Sequence, residues 1–166
     1  MTEIPFDVND YKLRETFFDQ FLIDRITCLK EDTLPLWGKM VAQNMIEHLV
    51  WAFEISTGIL EVPCRTPEKL LERVKSFLYN NSPTPREFRH PLLGENPPPF
   101  RFQNFSGAKD ALQKENARFV IYFREQPDAV HVHPIFGPLG AEEWQRSHFK
   151  HCYHHLQQFG LINQFG

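Results

Sequence analysis

Six prolines fall between residues 83 and 99, and they decide how the rest of the chain can be organised. Pro83, Pro85, Pro91 and the triplet Pro97-Pro98-Pro99 lack the N–H that a helix interior needs, so no helix crosses this stretch. On both sides of it, apolar residues return at helical spacing. The segment from Asn81 to Gly107 therefore reads as a long crossover lying on the body of the protein, pinned by Phe88, Phe100, Phe102 and Phe105. A lid or a dimer arm is the other use for such a stretch.

Upstream, Asn9 or Asp10 caps a first helix that runs to about Lys30, with Phe17, Phe21, Ile23, Ile26 and Cys28 on its apolar side. A second helix spans about Gly38 to Thr57 and stops at Gly58; its stripe is Val41, Met45, Leu49, Ala52 and Phe53. Thr66-Pro67-Glu68 opens a shorter third helix that buries Leu70, Leu71, Val74, Phe77 and Leu78. Downstream, a fourth helix runs from Ser106 or Gly107 to about Glu125, although Phe119 to Phe123 has the composition of a strand. A loop rich in Pro and Gly, Gln126 to Gly140, precedes a last helix from Ala141 to Phe159. These segments predict an all-α bundle forming one domain over residues 1–166.

Composition narrows the function. The chain has 42% apolar and 23% charged residues, an ordinary globular balance, and sixteen Phe, so ring packing should dominate the core. Net charge is −3 and the basic residues form no stripe, which argues against a nucleic-acid partner. No stretch approaches the eighteen or so uninterrupted apolar residues of a membrane helix, and the start lacks a leader pattern, so a cytoplasmic protein is expected. Cys28, Cys64 and Cys152 are odd in number and far apart, and read as reduced thiols.

Histidine carries the chemistry. Eight are present, four of them in His148-Phe-Lys-His151-Cys-Tyr-His154-His155 on the last helix. At about 100° per residue, the inward side of that helix is Trp144, His148, Phe149, Cys152, His155, Leu156 and Phe159, with His151 at its margin. Glu143, Arg146, Lys150, Tyr153, His154 and Gln157 fall on the side expected to face solvent. His151 and His155 stand one turn apart, so both rings can address one metal ion. A third ligand comes from the second helix, where His48 lies in the apolar stripe. Plain hydrogen bonding among these rings is the simpler alternative, and a ligand set using His148 stays open. His133, just before the last helix, and His148 are candidates to support the site or touch substrate. Glu47 and Glu54 are read as facing solvent, which leaves no general base. Trp51 and Trp144 could line a pocket: Trp144, on the inward face, is read first as core and second as a residue that supports the site or touches substrate, and Trp51, on the other side of its helix, as a spare aromatic for a dimer contact.

Three segments resemble the DinB-like family of metalloenzymes: Leu36-Trp-Gly-Lys-Met40 leading into Met45-Ile-Glu-His48, His133-Pro-Ile-Phe-Gly137 leading into Trp144, and His151-Cys-Tyr-His-His155-Leu-Gln-Gln158. The resemblance implies a four-helix bundle of up-down-down-up order and a divalent metal, zinc or nickel, on His48, His151 and His155. It also implies a homodimer. Gln158 stands at the Gln position of the family pattern, while Leu156 replaces the common Arg. Some members of that family are thiol-dependent transferases. The expected function is a metal-dependent enzyme acting on a small molecule, as hydrolase or as transferase with a low-molecular-weight thiol. The alternative is a helical binding or dimerisation module whose metal is structural.

Overall fold

The structure, a computed structural model, describes residues 3–165. Helix α1 (Tyr11–Thr16) begins where the Asp10 side chain accepts the Leu13 N–H at 2.9 Å. A π-helical turn, Phe17–Phe21, carries it directly into α2 (Leu22–Cys28). Helix α3 (Ala42–Ser56) starts four residues later than the spacing predicts, with Asn44 Oδ1 accepting the Val41 N–H at 3.1 Å. It ends at Gly58, whose φ of +76° only glycine adopts without strain. Helix α4 (Leu71–Lys75) lies between the 3-10 turns Glu68–Leu70 and Ser76–Tyr79, and in this stretch only Leu78 is fully buried.

After the crossover, Asn104 Oδ1 accepts the Gly107 N–H at 2.8 Å and starts α5 (Phe105–Glu125), helical even through Phe119–Phe123. Strands β1 (His131–His133) and β2 (Gly137–Leu139) then form an antiparallel hairpin, with His131 opposite Leu139 and His133 opposite Gly137. Helix α6 (Ala141–Gln158) closes the fold. Phe rings build much of the core: Phe17 meets Phe149 at 5.1 Å, and Phe119 meets Phe18 at 5.5 Å and Phe53 at 5.4 Å. No helix among the described residues is long and apolar enough to cross a membrane.

The expected all-α, up-down-down-up four-helix bundle is corrected by two features. The first is the hairpin: the chain is 52% helix, yet residues 131–139 pair as strands rather than forming a loop. Strands of three residues are too short to display a period of two, so the pattern shows only turn residues. The turn itself is held by His133 Nδ1, which accepts the N–H groups of Ile135 at 3.0 Å and Phe136 at 3.2 Å.

The second feature is α6, which is buried almost all round instead of being one stave among four. Arg146, Lys150, Tyr153 and Gln157, expected to face solvent, are each 7% exposed or less. The reason is that side's neighbours: Ile4, Phe6 and Phe165 cover Tyr153, Asn163 covers Gln157, and a helix end lies against Arg146 and Lys150. Lys150 Nζ donates to the carbonyls of Phe77 and Asn80, and Arg146 Nη1 donates to that of Leu78 at 3.3 Å. These cations complete the orphan carbonyls at the end of the Ser76–Tyr79 turn, which a helical wheel cannot foresee.

Candidate metal centre

Helices α3 and α6 bring His48, His151 and His155 together. One nitrogen from each lies within 4.8 Å of the others. His151 Nε2 is 2.9 Å from His48 Nε2 and 3.1 Å from His155 Nε2. The i, i+4 spacing on one rigid helix sets the second distance, and packing of Met45, Ile46 and Leu49 in the core turns His48 toward the first.

The donor set fits a metal ion better than it fits mutual hydrogen bonding. The Gln158 amide is oriented by Nε2, which donates to the Trp37 carbonyl at 3.0 Å, so Oε1 is free to accept from His155 Nδ1 at 2.7 Å. His155 therefore carries its proton on Nδ1 and presents a lone pair at Nε2. His151 Nε2 has either one proton or one lone pair, and it cannot pair with both neighbours at once. At least one nitrogen of the three is left over. A divalent ion accepts lone pairs from all three, and Gln158 is the partner that such a ligand needs at its other nitrogen.

Electrostatics agree with neutral rings. Burial lowers the His48 pKa to about 3, with His90 and His154 adding to the effect. Burial, then the neighbouring imidazoles, holds His151 and His155 well below the ordinary value. Neutral imidazole is the form that binds a metal.

The cluster lies in a cleft of about 1520 Å³ whose walls include seven of the eight histidines; His131 is the exception. Trp51, expected to serve a dimer, instead stacks at 5.8 Å on His48, and His90 of the crossover stands edge-on to both at 5.3 and 6.4 Å. His154, expected to face solvent, is half-buried in the cleft against Trp37 at 5.5 Å. His133 and His148 line the cleft outside the cluster, and Trp144 packs against both, with its Nε1 donating to the His131 carbonyl at 3.2 Å. His131 is paired with the Tyr122 hydroxyl at 2.7 Å.

Glu47 departs most from its expected place. It is 6% exposed, not solvated. Its carboxylate accepts Gln43 Nε2–H at 3.0 Å and the backbone N–H groups of Arg101 at 2.8 Å and Phe102 at 3.0 Å. Glu54 holds the Arg101 guanidinium through two contacts of 2.9 and 3.0 Å. The crossover is thus tied to α3 by carboxylates beside His48, whereas Phe88 and Phe100 are exposed. Sequence reasoning allowed Trp51 a place in a pocket but missed His90 and Trp37, which reach the cleft from irregular segments. The surplus of histidines was the one signal for His90.

A family model for a protein of unknown function, DUF1569, matches residues 22–160. The chain belongs to that family. The DUF1569 match runs from the start of α2 past the end of α6, so all three clustered histidines, Gln158 and the crossover lie inside it. No curated protein and no solved structure matches the chain.

Proposed function

We propose that this DUF1569 protein is a divalent-metal-dependent enzyme acting on a small molecule, with His48, His151 and His155 as the protein ligands and zinc or nickel as the metal. The observation that carries the reading is three neutral imidazoles, converging on one point in a large cleft, that cannot satisfy one another. The resemblance of the same segments to DinB-like metalloenzymes supports it. His48, His151 and His155 would hold the ion as neutral ligands and leave it its full charge, and the ion would supply Lewis acidity toward a water or thiol near neutral pH.

Between the two chemistries, thiol-dependent transfer suits the surroundings better than hydrolysis. Hydrolysis draws on a nearby carboxylate to move protons. Glu47, next to His48 in sequence, is committed to the backbone of residues 101–102. The acids lining the cleft, Glu87 and Glu95, both stand exposed on the crossover, Glu95 facing Arg89. What this chain supplies is a ring-lined wall: Trp51 and His90 cover one side of His48, and Gln158 fixes the orientation of His155. A thiol reagent bound there would rest against these rings beside its acceptor.

Elemental analysis of the purified protein is expected to give one divalent ion per chain. His151→Ala should abolish it and His154→Ala should not. One ion per chain retained in His151→Ala would refute the ligand assignment.

A further inference from the structure

The inner wall of the cleft carries two imidazoles that the metal centre does not use. His148 stands on α6 nearly one turn before His151, so the two rings share a side of the helix. Its ring is clamped between Phe53 at 4.2 Å and Trp144 at 5.4 Å, both nearly parallel to it, and the residue is 1% exposed. Its Nε2 is buried and has no hydrogen-bond partner among the described residues. A buried ring nitrogen in that condition asks for a bound atom to complete it.

His133 lines the same wall, 5.0 Å from the Trp144 ring. Its Nδ1 already accepts the N–H groups of Ile135 and Phe136. In a neutral ring the proton is therefore on Nε2, and no acceptor meets it among the described residues. Burial keeps His133 well below the ordinary imidazole pKa and His148 at about 3, so both rings are neutral.

Around them the wall is apolar, built from Ile55, Phe77, Ile135 and Phe136. Lys150, the cation on this part of α6, is spent on the carbonyls of Phe77 and Asn80. The other cations of the cleft, Lys39, Arg73, Arg86 and Arg89, are exposed, so a carboxylate brought here would lose its hydration with no buried cation to replace it, whereas an uncharged acceptor loses little. We infer that His133 and His148 form a second anchoring subsite, which holds an uncharged carbonyl group of the small molecule beside the metal centre. His133 Nε2–H donates to the carbonyl oxygen, and His148, held flat by its two aromatic neighbours, completes the contact from the α6 side. That this molecule is a substrate rests on the proposed function; the subsite itself needs no metal.

The test uses metal-free protein with ring-¹⁵N-labelled histidine, titrated with acetamide and, separately, with acetate. Saturable shifts at the His133 and His148 ring nitrogens are expected with acetamide, and weaker binding with acetate. His133→Asn keeps an acceptor for the turn but is too short to place a donor where Nε2 stood, and His148→Phe keeps the stacking but loses the nitrogen. Each should weaken acetamide binding about tenfold, the worth of one hydrogen bond. His151→Ala should leave acetamide binding intact while losing the metal, so the subsite and the metal centre fail or stand separately. Absence of saturable shifts, unchanged affinity in both variants, or tighter binding of acetate than of acetamide would overturn the inference.

Discussion

Replacing Glu47 by Ala separates a solvated carboxylate from a structural one. In the structure its two oxygens accept three hydrogen bonds, two of them from the backbone N–H groups of Arg101 and Phe102. Alanine leaves those donors without a partner at a part-buried junction. An orphaned buried donor costs on the order of 1–3 kcal/mol; at part burial the pair should cost about 2–4 kcal/mol. For a chain of this size that is a fall in Tm of about 5–15 °C. Glu47→Gln keeps one accepting oxygen and should lose about half as much. Glu54→Ala, whose partner Arg101 is half-exposed, should cost less than about 1 kcal/mol. Urea unfolding of the metal-free protein, with native-state hydrogen exchange at residues 101 and 102, reads each value. Should Glu47→Ala unfold within about 0.5 kcal/mol of the parent, as ordinary surface substitutions do, the carboxylate faces water and the anchoring argument is wrong.

Gln158→Leu removes the acceptor that fixes His155, and metal affinity measured against a competing chelator should drop about 10- to 100-fold, with stoichiometry unchanged. Acid should destabilise the metal-free protein through His148. Its folded pKa is near 3 against 6.5 unfolded, so its contribution is intact above pH 6.5 and is lost as pH falls from there toward 3. The slope is about 1.4 kcal/mol per pH unit for each such ring, and His148→Phe should flatten the measured urea-unfolding profile by that amount between pH 6 and 4. Gly58→Ala should cost on the order of 1–3 kcal/mol, because φ is +76° and a Cβ would meet His131 Cε1 at 2.5 Å. Gly140→Ala, with open space around it, should be tolerated, and equal stability of the two variants would count against the placement of His131.

The part of the site that sequence reveals is the part set by local geometry. His151 and His155 are one turn apart on any helix, and His48 falls in a stripe with Met45 and Leu49, so their convergence follows from two periodicities and one packing contact. What escapes is set by partners distant in the chain. Glu47 is 54 residues from Arg101, and nothing near it in sequence announces that the crossover returns to it. Arg146 and Lys150 look like a solvated face until the Ser76–Tyr79 turn is seen to end against them. The hairpin was hidden for a different reason: three-residue strands around Pro134 and Gly137 show turn chemistry and too little alternation to be heard above it.

Because α6 is packed on every side but the one that floors the cleft, it has no direction in which to slide or roll without breaking contacts elsewhere. The floor of the cleft is therefore a fixed datum, and traffic through it falls to the irregular walls around Trp37 and His90. A molecule arriving at the three imidazoles meets segments without secondary structure on its way in, so changes in those segments alter access before they alter the floor.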